Sequence, residues 1–208
     1  MSNKYTKAAS IKLDTPFGEF QLHSYQRDDL KDVENPNISR FHLALVAGDV
    51  AHQKNVIVRV HSKCTLNETF GDMECECSEQ LEYAMKTIQD AGKGVIVYLM
   101  QDGKGIGLFN KIRAIQTCQE ENIDMYDAFI KLGFKPDERD YHAVKDIFED
   151  LQVESPIQLL TNNPDKIKQL QNYGIECQRL PIQMPVTKYN KASLTYKKNK
   201  MGHLLHLD

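Results

Sequence analysis

Nowhere in the 208 residues do about 18 apolar side chains run consecutively, so no membrane-crossing helix is expected. The first residues, MSNKYTKAAS, lack the apolar core of a secretory leader, and a cytoplasmic location is expected. A basic excess is missing as well. The 26 Lys and Arg against 29 Asp and Glu give a formal net charge of −3, which offers no footprint for a nucleic-acid partner. Internal repeats and low-complexity linkers are absent. The five cysteines, at 64, 75, 77, 118 and 177, form an odd, clustered set that argues against a secreted disulfide framework. What remains is ordinary globular composition, 41% hydrophobic and 26% charged, in a chain long enough to bury a sizeable core.

One domain over residues 1–208 is expected, with a flexible C-terminal tail over 186–208. FHLALVAGDV (41–50), NVIVRVH (55–61), GVIVYLM (94–100) and PIQLLT (156–161) read as strands, being β-branched and apolar. Ser78 is placed to cap a helix with Leu81, Met85 and Ile88 on one face, stopping at Gly92. Further helices are expected from near Leu108, over 138–151, and from Asn162-Asn163-Pro164 to a glycine stop at Gly174. Residues 27–37 and the Lys-rich tail after Pro185 read as loops, the tail as solvated surface. Alternating strands and helices point to an α/β fold, a single layered domain with a mixed sheet flanked by helices.

Cys64, Cys75 and Cys77 crowd into one stretch with the spacing C-x10-C-x-C. Thiolates suit zinc, and a structural site closes a tetrahedron with four protein ligands. His61 stands three residues before Cys64 and is a candidate fourth ligand. The other possibility leaves the fourth place to water, as catalytic zinc requires. Cys118 and Cys177 stand alone and read as buried or incidental thiols.

Three further stretches are candidates for handling phosphate. QDGKGIGLFNKIRA follows a strand and opens a helix, where backbone N–H groups collect anion oxygens. It is neither a Walker A loop nor a complete GxGxxG; Lys104, Lys111 and Arg113 favour an anion there. LLTNNPDK repeats the strand-to-helix layout and puts Lys166 in a first helical turn, against the dipole. In KPDERDY, Asp137 fits a helix N-cap, while functionally Asp137 and Arg139 offer a base beside a phosphate-binding group.

Taken in order, RVHSKC, CEC, QDGKGIGLFNKIRA, LGFKPDERDY, LLTNNPDK and KMGHLL resemble GTP cyclohydrolase II over about residues 15–205. The resemblance implies an enzyme that opens the imidazole ring of GTP, or a related purine nucleotide, and releases formate and pyrophosphate at the start of riboflavin biosynthesis. It further implies one zinc ion per chain on Cys64, Cys75 and Cys77, Mg²⁺ for the triphosphate, and a homodimer. Arg139 matches the family's nucleophile toward the α-phosphate, and Asp137 its proton acceptor. Arg59, Val60, His61, Ser62, Lys63, Gln80, Asp102, Gly103, Lys104, Thr161 and Lys166 match positions around the nucleotide.

The departures from the family pattern gather near that substrate. Lys63 replaces a glutamate, Glu76 and Ser78 replace aspartate and glycine, and Asp102-Gly103-Lys104 replaces Glu-Gly-Arg. Met125 stands where a threonine is usual. Ile115 replaces a tyrosine assigned to catalysis, and isoleucine can neither donate a hydrogen bond nor move a proton. Two other outcomes therefore stand beside the full hydrolase. One is a homologue that stops at the formylated pyrimidine or serves another pathway; the other is a catalytically silent nucleotide-binding regulator.

Overall fold

The structure, a computed structural model, describes residues 4–27, 29 and 41–207. A seven-stranded mixed sheet carries helices on both faces, in the order β1-β2-β3-β5-β4-β6-β7. The strands are β1 (Thr6–Thr15), β2 (Gly18–Gln26), β3 (Phe41–Ala47), β4 (Ile57–Ser62), β5 (Gly94–Leu99), β6 (Ile157–Leu160) and β7 (Cys177–Leu180). Antiparallel pairing joins β1, β2, β3 and β5, whereas β4 pairs in parallel with β5 and β6, and β6 with β7. The helices are α1 (Thr65–Phe70), α2 (Cys77–Asp90), α3 (Gly107–Glu121), α4 (Met125–Lys131), α5 (His142–Leu151), α6 (Pro164–Asn172) and α7 (Lys191–Met201).

The period of two along each strand sorts the core into two layers. Ala44 and Val46 of β3 and Val95, Val97 and Leu99 of β5 meet Val144, Ile147 and Phe148 of α5 and Leu170 of α6. Their neighbours Leu45, Ala47 and Ile96 turn the other way, onto Ala84, Met85 and Ile88 of α2. A smaller cluster of Ile106, Ala114, Ala128 and Phe129 joins α3 to α4. Among the described residues no helix is long and apolar enough to cross a membrane.

Three expectations are corrected. Ser78 is not a cap: α2 starts two residues earlier than expected, at Cys77, with Glu76 at the N-cap position. The helix expected from 138 begins at His142, because Asp137 turns its carboxylate onto Arg139 instead of a helix end. Residues after Pro185 are not simply loop: Asn190 fastens a turn through Thr187 N and Pro185 O, and α7 follows with Leu194 and Tyr196 buried. Most of the charged loop expected over 27–37 lies outside the described residues.

Buried His42 on β3 accepts a hydrogen bond at Nδ1 from the Met100 backbone N–H, 3.1 Å away. Burial lowers its pKa from 6.5 to about 4. Because the unfolded chain takes the proton first, stability should fall as pH drops from about 6.5 to about 4, by about 3 kcal/mol in all. Urea melts at pH 7 and pH 5 test this: the loss between them should shrink in His42→Gln, and an equal loss in the variant would refute the assignment.

Candidate active site

Parallel strands β4, β5 and β6 end on one edge of the sheet, the place where open α/β sheets hold ligands. Each end continues into one of the stretches singled out in the sequence. β4 runs into Lys63 and Cys64, β5 into Asp102-Gly103-Lys104, and β6 into Thr161-Asn162-Asn163 and α6. Between them lies a cavity of about 440 Å³.

At one end of the cavity the thiol sulfurs of Cys64, Cys75 and Cys77 all lie within 4.8 Å of one another. Cys64 precedes α1 and Cys77 opens α2, so two helix N-termini add positive potential beside the sulfurs. Buried Asn67 holds the connecting loop, donating to Asp72 O at 2.7 Å and Cys75 O at 3.3 Å. Hydrogen bonds from the Cys75 and Cys77 thiols, with the Lys111 ammonium 3.0 Å from Cys64 Sγ, hold Cys64 far below the ordinary thiol range. Three converging soft donors at the end of a cavity fit a zinc ion.

His61 does not join them. Its Nε2 lies 2.8 Å from Glu68 Oε1, its ring stacks on Tyr98, and Glu68 also accepts from Cys64 N at 2.9 Å. Among the described residues no other His, Cys, Asp or Glu completes a group with the three sulfurs. The set is therefore open on the protein side.

The rest of the wall gathers several cations, beside the acidic Asp72, Glu74, Glu76 and Asp124 and apolar residues such as Ile115 and Phe129. Arg59, 7% exposed, donates to Leu160 O at 2.9 Å and Gln80 Oε1 at 2.6 Å, and burial lowers its pKa to about 10. Lys166, 4% exposed, donates to Val60 O at 2.5 Å; burial first, then Arg59 and Arg139, push its pKa well down. Arg139 grips Asp137 at two points, Nε to Oδ1 at 2.8 Å and a shorter Nη2 to Oδ2 contact. Burial alone would lift the Asp137 carboxyl, but Arg139 outweighs it and holds the pKa below the usual value. Among the described residues Lys104 Nζ pairs with no carboxylate: it sits 5.1 Å from the Phe129 ring, 4.8 Å from the Tyr196 ring and 3.3 Å from Met201 Sδ. The excess of these cations over the acidic groups favours an anion in the cavity.

The Gly103–Gly105 turn binds the two ends together. A Cβ on Gly105, whose φ is +94°, would fall 2.7 Å from the Glu138 carbonyl carbon, and Glu138 N donates to Lys104 O at 2.9 Å. The turn thus seats the Asp137–Arg139 loop. On its other side, Asp102 accepts from Thr65 N at 2.8 Å and Gly103 N at 2.7 Å, and lies 3.4 Å from Lys111.

Of the residues singled out in the sequence, Arg59, His61, Ser62, Lys63, Gln80, Gly103, Lys104, Arg139, Thr161, Lys166 and the three cysteines line the cavity. Val60, Asp102 and Asp137 do not: the first offers its carbonyl to Lys166, and the others brace neighbours. Lys111 also lines it, facing Cys64 and Asp102, whereas exposed Arg113 lies over the Phe109 ring, away from the cavity. Sequence reasoning missed Asn67 and Glu68, which fix the thiol loop, and Lys197 and His203, which lie on the cavity wall. The first pair sits inside the Cys64–Cys75 interval, a signal that was available.

The GTP cyclohydrolase II family model matches residues 6–181. The riboflavin biosynthesis protein RibBA of Bacillus cereus is 45% identical over 204 residues, covering 97% of this chain and 49% of that protein. RibBA of Bacillus mycoides is 44% identical with the same coverage. The chain spans about half the length of these curated relatives. A solved structure, the two-domain 3,4-dihydroxy-2-butanone 4-phosphate synthase RibBX from A. baumannii, aligns with a TM-score of 0.46 and 17% identity, over 88% of this chain and 41% of that one.

Proposed function

The chain belongs to the GTP cyclohydrolase II family, and on that premise we propose that it hydrolyses the imidazole ring of GTP, releasing formate and pyrophosphate to leave a diaminopyrimidine nucleotide for riboflavin biosynthesis. One observation carries the reading: an open set of three thiols shares a cavity with Arg59, Lys104, Arg139 and Lys166. A purine lying toward the sulfurs would leave its phosphates among the cations.

Zinc held by Cys64, Cys75 and Cys77 would supply Lewis acidity that readies water for attack at neutral pH. Asn67 and Glu68 keep the thiols converged. Lys104, Lys166 and Arg59 take up phosphate charge, with Mg²⁺ arriving on the triphosphate. As found, Asp137 and Arg139 form an ion pair. For Arg139 to attack the α-phosphate, its guanidinium must pass a proton to Asp137; an N–P bond then forms as the bond to pyrophosphate breaks, and water later cleaves the N–P bond. A homodimer, which the family resemblance implies, completes the reading. The direct test incubates zinc-loaded protein with GTP and Mg²⁺ and measures formate and pyrophosphate; a zinc-replete protein that yields neither defeats the reading.

A second reading follows from Ile115, which lines the cavity with no hydroxyl to offer. It holds that ring opening proceeds while loss of the formyl group is slow, so that a formylated pyrimidine accumulates. Mass analysis of the products should show that species in the wild type and less of it, with faster formate release, in Ile115→Tyr. Stoichiometric formate at one rate in both proteins would sink the second reading and leave the first.

A further inference from the structure

The cavity has a wall that the mechanism above does not use. Beyond residue 181, where the family match ends, the chain returns through the Asn190 turn and α7 to bring Tyr196, Lys197, Met201 and His203 onto it. This segment is fixed in place. Gly202 closes α7 in the left-handed region at φ +68°, and His203 N donates to Lys197 O at 3.0 Å. Leu204 N then donates to Asn162 O at 2.9 Å, beside the strand end that carries Thr161, and Leu205 is buried.

Two side chains here lack a direct polar partner. Lys200, one turn along α7, meets Asp124 and Asp127, each at 2.7 Å. Lys197 makes no side-chain ion pair or hydrogen bond among the described residues; Tyr196, Cys77, Cys75 and Glu76 act on its charge only at longer range, and it shares the cavity with six other cations. His203 Nε2 is buried with no hydrogen-bond partner. A cation with no direct ion pair and an unsatisfied ring nitrogen in one cavity leave room for a ligand that meets both. Burial first, then Lys197, Arg139, Lys104 and Lys166, lower the His203 pKa to about 3, which keeps the ring neutral.

We propose that Lys197 and His203 complete the polyphosphate subsite, so that the C-terminal segment is part of the nucleotide site. This rests on the nucleotide reading given above. Lys197 supplies a mobile point charge, and His203, protonated on Nε2, donates a hydrogen bond without adding a further positive charge to a crowded set.

The experiment titrates inorganic tripolyphosphate calorimetrically, at constant ionic strength, into zinc-loaded wild type, Lys197→Ala, Lys197→Arg and His203→Asn, with zinc content and circular dichroism checked for each. Lys197→Ala should weaken binding about tenfold and His203→Asn by a few-fold, while Lys197→Arg keeps most of the affinity. With GTP, the KM of the alanine variant should rise more than its kcat falls. Equal tripolyphosphate affinity in all four proteins, no binding by the wild type, or loss proportional to lost zinc would each overturn the proposal. If Lys197→Ala does not fold, Lys197→Met and His203→Asn carry the same comparison. Formate from wild-type protein with unchanged variants defeats this subsite alone. No formate from the wild type defeats the hydrolase reading, and the tripolyphosphate comparison still stands.

Discussion

Cys75→Ser is expected to purify without stoichiometric zinc and to release no measurable formate from GTP. Cys75 is one of three converging donors among the described residues, and its sulfur lies 3.6 Å from that of Cys64. Serine is close in size, but its hydroxyl is a poor, hard ligand for zinc, so two thiols would remain to hold the ion. The fold should survive, because the sheet and both core layers lie apart from this loop. Metal analysis and circular dichroism separate loss of the ion from loss of the fold. Full zinc occupancy with wild-type turnover in Cys75→Ser would remove the basis of the hydrolase assignment. Retained tripolyphosphate binding without zinc is expected, since the cationic wall is built from other elements.

Arg139→Lys should bind zinc normally yet lose about a hundredfold or more in kcat. The substitution keeps a positive charge but gives up the two-point grip on Asp137 and the planar donors that match a phosphate. It should therefore strike pyrophosphate release in a protein whose metal centre is intact, the opposite pattern to Cys75→Ser. Asp137→Asn should fall on the same side. Its neutral amide can still accept a hydrogen bond from Arg139, but it no longer takes the proton or balances the charge. A lysine variant with near wild-type kcat would show that the guanidinium is dispensable, and would take the proposed N–P step with it.

Much of this site was legible in the residues, because the elements that build it have strong local signals. The strands ending at Ser62, Leu99 and Leu160 are short, apolar and β-branched, and glycine, asparagine or proline follows two of them closely. The Asn163 side chain accepts from Asp165 N at 3.0 Å, and proline occupies the next position, so α6 announced its own start. The missed elements lack such patterns. β1 is largely exposed, and its run Thr6–Thr15 shows no clean alternation of apolar residues. α7 carries four lysines at 191, 197, 198 and 200, and these hide the anchoring Leu194 and Tyr196. The reading of Asp137 as a cap failed for a different reason. A cap and an ion pair use the same carboxylate, and only the fold reveals that Arg139 two residues on claims it.

Gly105 lies where the three-residue turn touches the backbone at Glu138 on one side, while Asp102 ties the same turn to the start of α1 on the other. The spacing between the thiol cluster and the Asp137–Arg139 pair is therefore gauged by this one turn. Relatives that lengthen or widen this turn should favour substrates of different span, whatever becomes of their metal ligands.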